Sequence, residues 1–96
     1  MILHILNKSP VTSSVYQQAL SAMGAEDRLL LIEDAVQGGL PQLSCHFEKA
    51  AGRLFVLQED MDSRGLGGRQ DPAVSVVDVD GFVRLTEQAV NIVSWF

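Results

Sequence analysis

The chain contains one cysteine, Cys45, which excludes an internal disulfide and fits a reducing compartment. Basic residues are also scarce: seven Lys and Arg stand against twelve Asp and Glu, a net charge of −5. Nucleic-acid affinity comes largely from Lys and Arg that displace counterions, so direct binding of this chain to nucleic acid is not expected. No apolar stretch approaches the roughly 20 residues that span a bilayer. The start Met1-Ile2-Leu3-His4-Ile5-Leu6 has no basic segment and no small-residue cleavage site. The expectation is a cytoplasmic protein that does not contact a membrane. Internal repeats, linkers and low-complexity tracts are absent, and residues 1–96 read as a single domain. His4 and His46 lack metal-ligand spacing, and no glycine-rich loop leads into a Lys-Ser/Thr pair. Neither a metal ion nor a cofactor is expected.

Apolar residues, by contrast, are plentiful. They make up 47% of only 96 residues, whereas a chain this short has a high ratio of surface to volume and needs polar cover. That imbalance suggests a subunit of a larger assembly. Its centre is Leu29-Leu30-Leu31-Ile32-Glu33-Asp34. An unbroken apolar run of this kind reads as a strand buried on both faces, the mark of a parallel sheet covered by helices on each side. The fold class is therefore α/β, and the two acids fall at the carboxyl edge where such sheets collect ligand sites.

Residues 2–6 form a first strand, closed by Asn7-Lys8-Ser9-Pro10. Ser14 and Gln17 have capping-box spacing and open a helix over residues 14–23, with Gly24 as its stop. The pair Gly38-Gly39 limits residues 35–39 to a short helical turn at most, and Pro41 opens a second helical piece through Lys49 with Leu43, Phe47 and Ala50 on one face. Arg53-Leu54-Phe55-Val56-Leu57 repeats the central strand and again ends in acids, Glu59-Asp60. A one- or two-turn helix follows to Arg64, stopped by Gly65, and residues 66–72 read as a mobile loop. Residues 74–77 make a fourth strand, and Asp78 or Asp80 caps a helix carrying Phe82, Val83, Leu85 and Ala89. The tail through Trp95-Phe96 is a fifth, edge strand or a docking segment. Right-handed crossovers then give a small three-layer α/β/α sandwich around four or five mostly parallel strands.

Few residues carry candidate chemistry. Cys45 is the only possible thiol nucleophile, but His46 beside it points about 100° away on a helix, so adjacency is poor evidence for a reactive pair. Packing or a spectator role is the expected state of that thiol, and His4 reads as a core or strand-edge histidine. Glu33-Asp34 and Glu59-Asp60 could line the same edge for acid–base work, though capping of the next helices accounts for them. Residues 65–69 could form an anion nest and are read instead as a turn. A chain terminus is usually frayed unless tied down, so Trp95 and Phe96 are expected to contact a partner. Phe82 is placed with them.

Three stretches carry a resemblance: Leu3-His4-x-x-Asn7-Lys8-Ser9-Pro10, then Leu29 through Val36, then Leu57-x-Glu59-Asp60-x-x-x-Arg64-Gly65-Leu66. With Val76-Val77-Asp78-x-x-Gly81-Phe82-Val83-Arg84-Leu85-Thr86 and the later Trp95, they resemble the TusB/DsrH family of sulfur-relay subunits across nearly the whole chain. The resemblance implies a DsrEFH-like fold and a non-catalytic subunit of a TusBCD-like complex that relays persulfide sulfur for 2-thiolation of the tRNA wobble uridine. Its partners would be TusC- and TusD-like chains in a heterohexamer, with sulfur-carrier proteins reached through the complex and the active cysteine on the TusD-like partner. DsrH proteins of sulfur oxidisers carry a cysteine on the first helix. The matching position here is Ala19, which favours the TusB branch, and Cys45 inherits no role. The competing expectations are a DsrH-like subunit of a sulfur-oxidation complex, or a stand-alone thiol or small-ligand protein that uses Cys45 or the acidic edge.

Overall fold

Five short apolar runs become the strands of one sheet in the computed structural model, which describes all 96 residues: β1 (Ile2–Leu6), β2 (Arg28–Leu31), β3 (Leu54–Leu57), β4 (Ser75–Val77) and β5 (Asn91–Trp95). Their order is β4-β3-β2-β1-β5, and every neighbouring pair is parallel. Leu29, Leu30 and Leu31 in β2 are all fully buried. Successive strand side chains point to opposite faces, so a strand buried at every residue needs cover on both. That cover comes from α1 (Val15–Ala22), two 3₁₀ helices (Glu33–Gly39 and Ser44–Ala50) and α2 (Gln58–Ser63) on one face, and from α3 (Val79–Gln88) on the other. No helix is long and apolar enough to cross a membrane.

The first face holds a continuous core of Leu6, Leu29, Leu31, Leu54 and Val56 from the strands, packed under Tyr16, Ala19 and Leu20 of α1, Val36, Phe47 and Met61. The second face buries Leu3, Ile5, Leu30 and Leu85, with Phe55, Val77 and Phe82 partly buried around them. Asp78 caps α3 as expected, its carboxylate accepting the Gly81 N–H at 2.8 Å. Gly65 stops α2 at φ +69°, with the Leu66 N–H returning to the Met61 carbonyl at 2.8 Å.

Four local expectations are corrected. The Ser14–Gln17 capping box does not form; Ser13 Oγ instead accepts the Val15 N–H at 3.2 Å. Gly24 is not a left-handed stop, because Met23 leaves α1 in an extended conformation and the Gly24 N–H is drawn to Asp27 Oδ2 at 2.9 Å. Gly38 and Gly39 do not break structure but complete a seven-residue 3₁₀ helix in which both are buried. A Cβ on Gly38 would lie 2.4 Å from the Phe47 ring and one on Gly39 2.7 Å from Val56, so these glycines permit close packing. The second helical piece begins at Ser44 rather than Pro41, since Leu43 and Ser44 first turn back onto the Leu40 carbonyl, both at 2.9 Å.

The loop of residues 66–72 is also anchored. Leu66 packs against the core, the Asp71 N–H reaches the Gly39 carbonyl at 2.7 Å, and Ser44 Oγ donates to Asp71 Oδ2 at 2.8 Å.

Candidate functional site

The carboxyl edge brings both acidic pairs together, and the carboxylates of Asp34, Glu59 and Asp60 are engaged within the chain. Glu33, the one non-glycine residue with positive φ (+50°), turns the chain sharply out of β2. Its N–H donates to Asp60 Oδ2 at 2.6 Å. Arg64 Nε donates to Asp34 Oδ1 at 3.0 Å, and Arg64 Nη1 lies 3.8 Å from Asp60 Oδ1. Glu59 Oε2 accepts the Val79 N–H, the first amide of α3, at 3.2 Å. Asp60 and Glu59 of α2 therefore meet helix-start amides, but those of neighbouring segments and not their own, while Asp34 of the other pair bonds Arg64 instead of capping a helix.

This wiring falls at a topological switch point. The chain leaves β3 toward the first face and β4 toward the second, and α/β sheets place ligand crevices where neighbouring exits diverge in this way. Here Glu59 and the amide end of α3 meet across that position. No group of three or more His, Cys, Asp or Glu is placed to hold a metal ion.

Cys45 is exposed on the first turn of the second 3₁₀ helix, at a groove of about 230 Å³ lined by Ser44, Phe47, Leu54, Asp71 and Val74. The Ala73 N–H and then the Ser44 hydroxyl hold the Asp71 carboxyl below its ordinary range, against the opposing effect of burial. His46 turns away from this groove. Its Nδ1 is 3.3 Å from the Tyr16 hydroxyl on α1, and the two rings meet edge to face at 5.4 Å. The adjacent Cys-His dipeptide thus divides between a groove and a helix contact.

A third constellation carried no local signal in the sequence. His4 on β1 is 2% exposed; its Nε2 lies 3.1 Å from Asp27 Oδ2, and its Nδ1 accepts the Trp95 indole N–H at 3.1 Å. Asp27 also accepts the N–H groups of Gly24 and Ile2. Those two backbone bonds, reinforced by His4 and opposed by burial, lower its pKa from 3.8 to about 2. The three residues lie 23 and 91 positions apart, too far for any motif. The only traces were a histidine within an apolar strand and an aromatic at the chain's end.

The expected partner residues do not form one patch. Trp95 packs against the first-face core, Phe82 against the second, and Phe96 is 61% exposed beyond β5. Ala19, where the resemblance sets the first-helix cysteine of sulfur-oxidising relatives, is fully buried on the inner side of α1.

The family model described as DsrH like protein matches residues 8–91. The chain belongs to this DsrH-like family. Relatives within reach of full-length alignment include Protein TusB from Serratia proteamaculans (strain 568), 36% identical over 98% of this chain and 100% of that one. Protein TusB from Escherichia coli (strain SMS-3-5 / SECEC) is 32% identical over the same shares. Among solved structures, the YchN protein from E. coli superposes with a TM-score of 0.79 over 97% of both chains. At 18% identity that likeness establishes the fold of the DsrH-like chain and nothing finer.

Proposed function

We propose that this chain is a non-catalytic subunit of a TusBCD-like sulfur-transfer complex that relays persulfide sulfur for 2-thiolation of the tRNA wobble uridine. Full-length similarity to proteins named TusB is the observation that carries the reading. The chain's own chemistry supports it: its one thiol, Cys45, lies beside a histidine committed to Tyr16, and the first-helix position of Ala19 holds no thiol. Asp34, Glu59 and Asp60 of the carboxyl edge serve amides and Arg64, which leaves them to stabilise structure. The partners are TusC- and TusD-like chains in a cytoplasmic heterohexamer, and sulfur-carrier proteins act through that complex. Phe82 contacts a partner from the second face, and Trp95 and Phe96 do so from the β5 edge.

Affinity purification of the tagged native chain tests this directly. Two related small chains are expected to accompany it, and deleting the gene should abolish tRNA 2-thiolation. A chain that purifies alone while thiolation persists in the deletion strain sinks the proposal. Cys45→Ser in the assembled complex is expected to leave the thiolation rate within about twofold of the parent; a loss on the order of a hundredfold would make Cys45 a chemical participant.

A further inference from the structure

Trp95 can only donate through its indole nitrogen, so the His4 Nδ1 that faces it at 3.1 Å carries no proton. The ring proton is then on Nε2, directed at Asp27 Oδ2. Asp27 is immobilised in turn, since Oδ1 accepts the Ile2 N–H at 3.0 Å and Oδ2 the Gly24 N–H at 2.9 Å. Only the neutral imidazole satisfies this chain of bonds. A second ring proton would set N–H against N–H at the Trp95 end while strengthening attraction at the Asp27 end. The buried ring would stay with its anchored carboxylate, and the indole would be displaced.

We propose that the Trp95–His4 hydrogen bond is a proton-operated clasp on the C-terminal strand, closed while His4 is neutral and released when Nδ1 takes up a proton. The position of β5 gives the clasp leverage. It is an edge strand bonded on one side only, to β1, so the indole ties its last residues to the body of the sheet. The rings of His4 and Trp95 lie nearly parallel at 6.2 Å, and release would part them and loosen Phe96 beyond.

The surroundings of His4 contain little else that titrates. α1 carries no charged residue and contributes only the Tyr16 phenol; β5 contributes none. Arg28 at the head of β2 is engaged with Gln88. The turn before β2 supplies Asp27 and the exposed Glu26, and the Met1 amine stands just before β1. Lys49 and Arg53 reach carbonyls of Leu20, Gly24 and Asp27. The consequence for assembly rests on the partner surface proposed above at Trp95 and Phe96. The clasp itself does not, so it is tested in the isolated full-length chain.

Trp95 is the only tryptophan, so the indole N–H gives a single resonance in the spectrum of the ¹⁵N-labelled protein. On acidification from about pH 8 to about pH 5, that resonance is expected to move upfield in one step. Amide exchange within β5, corrected for its intrinsic pH dependence, should quicken about tenfold while β2 stays protected. His4→Gln should remove both responses and His46→Gln neither. In Trp95→Phe, which lacks the donor, β5 should exchange at the faster rate at both pH values. The clasp is overturned by an indole resonance that does not move, by the same movement in His4→Gln, or by a tenfold acid step that persists in Trp95→Phe. Should His4→Gln fail to fold, the Trp95→Phe exchange measurement decides alone.

Discussion

On one face of the sheet, α1, two 3₁₀ helices and α2 enclose a core of fifteen buried residues; on the other, α3 alone covers a cluster of four. Geometry explains the contrast. Five strands at about 4.8 Å spacing make a surface roughly 20 Å wide, and one helix covers about 10 Å of it. Apolar residues remain uncovered there: Val79 and Val83 on α3 are each about half exposed, and Ile92 is 43% exposed. Ile92 pairs in register with Leu3, so its side chain shares Leu3's second-face direction. The first face is a finished core. The second leaves apolar side chains at the surface, and part of the excess of apolar residues in so short a chain is found there.

The contrast can be broken most directly at Phe47, which is 1% exposed and touches the space kept open by Gly38. Phe47→Ala is expected to destabilise the isolated chain by about 3–5 kcal/mol, a large share of the roughly 5–15 kcal/mol that holds a domain folded. Urea titration reads this as a midpoint shift. Leu85→Ala, the matching deletion under α3, should cost about 2 kcal/mol, because a cluster covered by one helix relaxes into the void more easily. If the two variants lose equal stability, the faces are energetically alike and the argument for an unfinished second face falls.

How much of this was legible before the structure depended on where the controlling contacts lie along the chain. β2 and β3 could be read because burial on both faces leaves a continuous apolar run, and α3 because Asp78 and its apolar spacing are local. The 3₁₀ helix over Glu33–Gly39 could not, since Gly38 and Gly39 answer to Phe47 and Val56, which approach from other elements. Ser14 had the right spacing for a cap but lost the role to Ser13. The acidic edge was visible as composition, while its wiring across α2, the first 3₁₀ helix and α3 was not. The His4–Asp27–Trp95 chain joins residues from both ends of the sequence, and only the pairing of β5 with β1 brings them together.

Asp27 offers a pH-dependent measure of the first face's rim. Its carboxyl titrates at about 2 in the folded chain, against an ordinary value of 3.8. A lowered folded value means that the stabilisation is complete above the unfolded pKa and is lost as pH falls from about 5 toward 2, a loss of up to about 2 kcal/mol. Urea midpoints of the parent and of Asp27→Asn should therefore converge as pH drops from 7 to about 2.5. Curves that stay parallel over that range would mean the carboxylate bonds to Gly24 and Ile2 contribute nothing beyond those of an amide.

The smallest expected change in stability is the one that most sharpens the contrast. Val83→Ser with Ile92→Thr removes apolar surface that the isolated chain already leaves half exposed, so its melting should change by no more than about 0.5 kcal/mol per site. Val76→Thr is the control: Val76 is 40% exposed on β4 and aligns with Val56 on the first face. If a partner chain completes the second face, the double variant should associate about tenfold more weakly with co-expressed related chains, and Val76→Thr should bind them as the parent does. Equal retention of all three proteins would show that the second face stays open in the assembly. Loss of binding by Val76→Thr alone would move the interface to the β4 edge.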